Sequence, residues 1–316
     1  MRKRLISYTL PVLVVLIGCQ PNKSTQQKNL GQNSVQAVIN GAIANQIYIE
    51  GGTFIMGDFG ATGNDGIWRP YFPPAFEKDK AHQVTLTSYS LLKYKTTWHE
   101  FDTYLAAENI PAVHEAFGDE WSREPFDQNS ESRHYIKNPA QVTWQEAKNY
   151  CLWLGKHTDL AFDLPTSAQH EYAARNRGSK DWLYATHDGK AINTSSDPYG
   201  DVVYDNGSIG PVGTRLPANP LGLYDMAENA REWVNDWYSE TYYSENPEIV
   251  DPQGPETGTE KVLRSLGLGS LTFSFTRNGV PERLENPVNE EHRLLVKAGF
   301  RCAVQSAEPV SQAVQN

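Results

Sequence analysis

The sequence predicts a loop-rich α+β domain, on three observations. Eight Trp, sixteen Tyr and eleven Phe stand among 24 Gly and 19 Pro, so aromatic packing must be reached through many turns and not through long helical periods. Alternating apolar and polar runs lie near both ends of the globular part and read as strands. Three short stretches between them open on one helix-start signature. With 316 residues, 39% hydrophobic and 21% charged, the chain can bury a sizeable core.

The first residues belong to export, not to the fold. Arg2, Lys3 and Arg4 precede Leu10 to Ile17 (LPVLVVLI), a run too short to span a bilayer and suited to a secretory signal. Leu16-Ile17-Gly18-Cys19 is similar to a bacterial lipobox, which implies a signal peptide over 1–18, cleavage before Cys19 and diacylation of its sulfur. Gln20 stands where an Asp would favour inner-membrane retention, so the expected address is the outer membrane, facing the periplasm. Residues 19–45 are polar and free of aromatics, which reads as a lipidated flexible tether.

The globular domain is expected over 46–304. Ile47 to Asp58 (IYIEGGTFIMGD) and His82 to Leu91 (HQVTLTSYSL) alternate as strands do. Between them the Gly-, Pro- and aromatic-rich run to Lys80 reads as ordered loop. Thr97-Trp98-His99-Glu100, Thr143-Trp144-Gln145-Glu146 and Thr166-Ser167-Ala168-Gln169 each fit a capping box. Behind the first, Phe101, Tyr104 and Leu105 form an apolar stripe. Behind the second, Trp144, Ala147, Cys151 and Leu154 form another, with Gly155 placed to cap the helix. Residues 106–138 and 176–218 read as mostly irregular. Lys261 to Arg277 and Leu294 to Val304 are strand-like, and 305–316 is polar and reads as a frayed tail.

Asn219 to Tyr238 (NPLGLYDMAENAREWVNDWY) combines turn formers, the acids Asp225 and Glu232, and the aromatics Trp233, Trp237 and Tyr238. It reads as a structured loop entering an aromatic strand, with oxygens free to gather round a hard cation.

Charge and motifs exclude several functions. The formal charge is -10 with no basic face, so nucleic acid is not an expected partner. No G-x-S-x-G elbow, P-loop or dinucleotide fingerprint is present, and the eight histidines show no metal-ligand spacing. Once Cys19 carries lipid, Cys151 and Cys302 remain in an oxidising compartment, where two thiols more often pair than stay free.

The landmarks together resemble the formylglycine-generating enzyme, or sulfatase-modifying factor, family. The resemblance rests on GGTFIMGD (Gly51 to Asp58), KYKTTWHEF (Lys93 to Phe101), NPAQVTWQEAKNYCLWLG (Asn138 to Gly155) and LPTSAQHEYAAR (Leu164 to Arg175). It continues through GPVGTRLPANPLGLYDMAENAREWVNDWY (Gly210 to Tyr238), VLR (Val262 to Arg264) and GFRCA (Gly299 to Ala303). It implies a C-type-lectin-like fold and a disulfide between Cys151 and Cys302. It also implies a structural calcium ion held by the side chains of Asp225 and Glu232 and the carbonyls of Glu228 and Ala230, with a second site near Tyr204 to Ser208.

The same resemblance implies that the chemistry is missing. Enzymes of the family hold copper with two cysteines shortly before the last strand, and those positions fall on Ser270 and Phe275. A hydroxyl does not replace a thiolate for Cu(I), and a phenyl ring cannot ligate. No cysteine stands between 152 and 301, and the histidine pattern of the iron-dependent branches is absent, so neither copper nor iron is expected. The expected function is a periplasm-facing lipoprotein that binds another protein. An immunity protein against a secreted, lipase-type toxin and a scaffold of an envelope machine both fit. The competing reading is an oxidase of the siderophore-tailoring type or a divergent formylglycine-generating enzyme.

Overall fold

A computed structural model describes residues 23–116, 119–192, 209–265, 273–281, 283–284 and 294–310. The helices are α1 (Lys23–Ala44), α2 (Trp98–Glu108), α3 (Trp144–Thr158), α4 (Ser167–Ala174) and the single turn α5 (Tyr242–Glu245). The early strands are β1 (Gln46–Ile49), β2 (Gly52–Met56), β3 (Ala61–Thr62), β4 (Trp68–Arg69), β5 (His82–Leu86) and β6 (Tyr89–Leu92). Then follow β7 (Val113–Ala116), β8 (Asp119–Ser122), β9 (Phe162–Asp163), β10 (Glu232–Trp237), β11 (Glu248–Val250) and β12 (Glu260–Arg264). The last are β13 (Asn278–Pro281), β14 (Arg283–Leu284), β15 (Leu294–Leu295) and β16 (Ala303–Val304).

These strands make small sheets, not one large one. A four-stranded sheet runs β1-β6-β16-β9, and two three-stranded sheets run β10-β12-β13 and β11-β5-β2. The short pairs β3-β4, β7-β8 and β14-β15 complete the described set. β16 lies antiparallel between β6 and β9, with Ala303 opposite both Leu91 and Asp163. The C-terminal strand therefore closes a sheet begun at the N-terminal end.

All three capping boxes form. The hydroxyls of Thr97, Thr143 and Thr166 accept the amides of Glu100, Glu146 and Gln169, whose side chains return to the cap. The apolar stripes behind the first two are buried as their spacing requires, except that Trp144 is only partly buried. Gly155 does not cap α3. The helix runs on to Thr158 and ends at Asp159 in the left-handed region (φ 55). Gly155 lies inside it, where an added Cβ would stand 3.1 Å from the Leu160 carbonyl.

The expected tether over 19–45 is corrected by α1. Val38, Ile39 and Ala42 are buried in the same cluster as Trp98, Phe101 and Trp153, with Val35 and Ile43 packed beside them. The positions 35, 38, 39, 42 and 43 are i, i+3, i+4, i+7 and i+8, the stripe of an amphipathic helix. An Ile39→Ala chain is expected to lose about 2 kcal/mol of stability. Gln36→Ala, on the exposed side of the same helix, is expected to change it by less than about 0.5 kcal/mol. Urea unfolding of both variants measures the contrast, and equal midpoints would return α1 to the role of a tether.

The frayed tail is corrected at its start. Gln305 exchanges side-chain hydrogen bonds with Gln169, Tyr48 donates to the Ala307 carbonyl, and Val310 is buried in the core. Residues 311–316 and Cys19 lie outside the described residues.

Two apolar clusters form the interior. One gathers α1, α2 and α3 with Phe300, Cys302 and Val304, and the other gathers β2, β5, β6 and α4 with Leu223 and Met226. Cys151 on α3 and Cys302 beside β16 are joined as a disulfide with Cα atoms 5.6 Å apart.

Candidate functional site

The loop from Asp58 to Lys80 is ordered by one buried carboxylate. Asp58 accepts the amides of Gly60 (3.0 Å), Tyr71 (3.0 Å) and Phe72 (2.8 Å). Its shape brings Phe59 and Phe72 over the segment that carries Phe275, with Trp68 beside Phe76. Phe275 is fully buried. Its ring stacks on Phe273 at 5.2 Å and meets Phe59 edge-on at 6.3 Å. Phe273 in turn stacks on Tyr184 at 5.1 Å and touches Phe72 at 5.7 Å. The ungapped family pattern sets its second cysteine at Phe275, whose side chain belongs to this aromatic stack. Ser270 lies outside the described residues.

Beneath the stack is a buried polar network that the sequence did not announce. The Phe275 carbonyl accepts from Arg264 (2.9 Å), which pairs with Glu171 at 3.0 Å. Glu171 also accepts from Gly57 (2.8 Å) and Arg175 (3.0 Å). Arg277 lies over Tyr243 at 3.9 Å, with its Nε 3.3 Å from Asp79. That approach lacks hydrogen-bond alignment, and both Asp79 oxygens are without a hydrogen bond. Burial therefore outweighs the pull of Arg277 and Arg264 and pushes the Asp79 carboxyl up to about 7. Burial likewise pushes Asp236 up to about 6, although its carboxylate accepts the Ser167 amide at 2.7 Å. Acids near neutrality are chemically able to exchange protons, but Asp79 and Asp236 are buried beyond a substrate's reach. Glu171 and Arg175 stand in LPTSAQHEYAAR, Arg264 in VLR, Gly57 in GGTFIMGD and Asp236 in the run to Tyr238, whereas Asp79 and Arg277 stand outside the recognised segments.

The loop Asn219 to Tyr238 is organised by its own side chains. Asn219 accepts the amides of Leu221 and Leu223, both at 3.1 Å, and donates to the Ala173 carbonyl. Asp225, Asn229 and Ala230 hold positive φ of 59, 58 and 82, whereas Glu228 does not. Asp225 accepts the Gly213 amide at 2.8 Å, and Glu228 accepts from Arg215 at 3.1 Å. Arg231 is exposed.

Glu232 fits the expected calcium site poorly. It is fully buried, and its oxygens face bases: Lys95 Nζ at 2.6 Å, Arg301 Nε at 2.7 Å and His170 Nε2 at 3.3 Å. Against the upward push of burial, Arg301, Lys95 and His170 hold its carboxyl well below the usual range. Burial lowers the pKa of Lys95 and of His170. A third cation beside an acid already held by Lys95 and Arg301 would be repelled. The free Asp225 Oδ1 and Glu228 Oε1, with the Glu228 and Ala230 carbonyls, are four oxygens, short of the six that calcium wants. Asp225 also borders a cavity of ≈ 10 Å³, about the room of one water. Among the described residues no three His, Cys, Asp or Glu side chains gather to hold a metal. The residues Asp225, Glu228, Ala230 and Glu232 thus do not fit calcium as a set. The second expected site, near Tyr204 to Ser208, lies outside the described residues.

The sequence profile described as a sulfatase-modifying factor enzyme 1-like domain matches residues 32–306. The chain belongs to the sulfatase-modifying factor family. It is 35% identical over 178 residues to the formylglycine-generating enzyme of Streptomyces coelicolor, covering 51% of each chain. The match thus spans about half the length of that relative. It is 25% identical over 239 residues to the inactive C-alpha-formylglycine-generating enzyme 2 of Bos taurus, covering 63% of this chain and 73% of that one. Among solved structures, PvdO from Pseudomonas aeruginosa aligns with a TM-score of 0.56 at 23% identity, over 83% of this chain and 94% of its own. That likeness establishes the fold alone.

Proposed function

We propose that this member of the family is a non-catalytic protein-binding module, displayed on the periplasmic face of the envelope through lipid on Cys19. The observation that carries the reading is Phe275, whose buried ring fills the place where the family pattern sets its second reactive cysteine. The remaining thiols, Cys151 and Cys302, are spent on one bridge. The inactive bovine relative is a precedent for the family's fold without its chemistry.

Support for a protein partner comes from the loop above the stack. Ile67, Trp68 and Phe72 are 55%, 44% and 37% exposed, on a loop held rigid by Asp58. Aromatic surface of this kind, on a chain of formal charge -10, favours a basic protein partner with a salt-sensitive on-rate. An immunity protein against a secreted, lipase-type toxin and an envelope scaffold both use such a surface. Rescue of toxin-exposed cells by this protein alone selects the first.

The test of the non-catalytic reading is direct. Full-length protein is incubated with a cysteine-containing sulfatase peptide, with and without copper, and the peptide is weighed by mass spectrometry. The expected result is an unchanged peptide in both arms. Conversion of its cysteine to formylglycine in either arm would overturn the proposal.

A further inference from the structure

Lys95 and Arg301 do more than neutralise one acid. Lys95 Nζ donates to the Asp225 carbonyl at 2.7 Å as well as to Glu232 Oε1 at 2.6 Å. Arg301 Nη2 donates to the neighbouring carbonyl of Tyr224 at 2.8 Å, while its Nε holds Glu232 Oε2 at 2.7 Å. The two cations therefore tie consecutive main-chain oxygens at one end of the loop to the carboxylate that ends it. Gathering carbonyls and a carboxylate round positive charge is the service a hard metal ion gives an irregular loop. We propose that in this chain the loop 224–232 is braced by its own side chains, Lys95 and Arg301, and needs no metal.

Charge balance supports the assignment. Three acids stand in or at the end of the loop, and two of them, Glu232 and Glu228, are ion-paired with bases of the chain. Glu232 has Arg301, Glu228 has Arg215, and Lys95 lies between Glu232 and the Asp225 main chain. Asp225 itself is held by the Gly213 amide. Adding a divalent cation would leave the buried cluster with excess positive charge, which costs more inside the protein than the new contacts return. The arrangement also anchors the loop to two distant elements. Lys95 follows β6, and Arg301 precedes β16, so the sheet that pairs β6 with β16 sets the spacing of the two cations.

Thermal unfolding of the full-length protein tests this. The wild-type melt is expected to be the same in millimolar calcium chloride and in excess EGTA. Lys95→Met, which keeps the length of the side chain and removes its charge, is expected to melt about 10 °C lower in both buffers. Either a Lys95→Met melt equal to wild type, or an EGTA-sensitive wild-type melt that Asp225→Asn makes insensitive, would overturn the brace. EGTA sensitivity that Asp225→Asn leaves intact, with Lys95→Met still destabilised, places a metal outside this loop and leaves the brace standing. If Lys95→Met does not fold, the EGTA and Asp225→Asn arms still decide.

Discussion

A chain carrying Cys151→Ala and Cys302→Ala together is expected to melt roughly 10 °C or more below wild type. The bridge joins residues 151 apart in sequence, and a loop of that length removes about 5 kcal/mol of chain entropy from the unfolded ensemble. That is a large share of the roughly 5–15 kcal/mol by which a domain is stable. The folded state adds to the effect, since both sulfurs are buried between α3 and β16 in the larger core cluster. Burial also protects the bond. Reductant added to folded protein should leave the melt unchanged until the chain opens, whereas protein unfolded in reductant and refolded should match the double variant. Circular dichroism melts before and after such a cycle measure both arms. A double variant within about 2 °C of wild type would mean that the cross-link adds less than about 1 kcal/mol.

What the sequence revealed, and what it concealed, follows from distance along the chain. The capping boxes at Thr97, Thr143 and Thr166 are contacts three residues long, and all three formed as read. The α1 stripe is just as local, but it was hidden by composition. Its window is rich in Gln and Asn, and that polarity masks the i, i+3, i+4 period of Val35, Val38 and Ile39. The setting of Glu232 is concealed for the opposite reason. Its acid and its aromatic neighbours could be read locally as a metal loop, yet its partners Lys95 and Arg301 stand 137 and 69 residues away. Of the two lysines in KYKTTWHEF, neither carries a mark of full burial. Phe275 was legible as a missing ligand, and the rings of Phe59 and Phe273 that close over it were not.

The stability of the protein is expected to fall as pH rises towards neutrality through Asp79, and Asp79→Asn is expected to remove that fall. Asp79 ionises at about 7 in the folded chain against 3.8 for the ordinary group. Between those values the folded state binds a proton that the unfolded state does not, so its stabilisation is complete below about 4 and gone above about 7. From about pH 5 to about pH 8 the wild type loses roughly 3 kcal/mol through this one group, relative to a side chain that cannot ionise. The melt of Asp79→Asn should therefore rise relative to wild type by roughly 6 °C over that interval.

The groups packed round Asp79 make the difference between the two proteins the quantity to measure. His82, buried nearby and stacked on Tyr243 at 4.2 Å, and His170 both have depressed pKa values caused first by burial. A histidine held neutral costs stability as pH falls below its unfolded value, the opposite direction to Asp79. Glu232 is held low, so its contribution is lost only in acid. These terms are shared by wild type and variant and cancel in the difference, while the Asp79 term does not. Asp236 leans the same way as Asp79, with its carboxyl raised to about 6, so some decline with pH should persist in the variant. A difference that stays flat from about pH 5 to about pH 8 would mean that Arg277 and Arg264 already hold Asp79 ionised at low pH. The aromatic stack would then rest on a fully charged network, with Asp79 as the acid partner of Arg277.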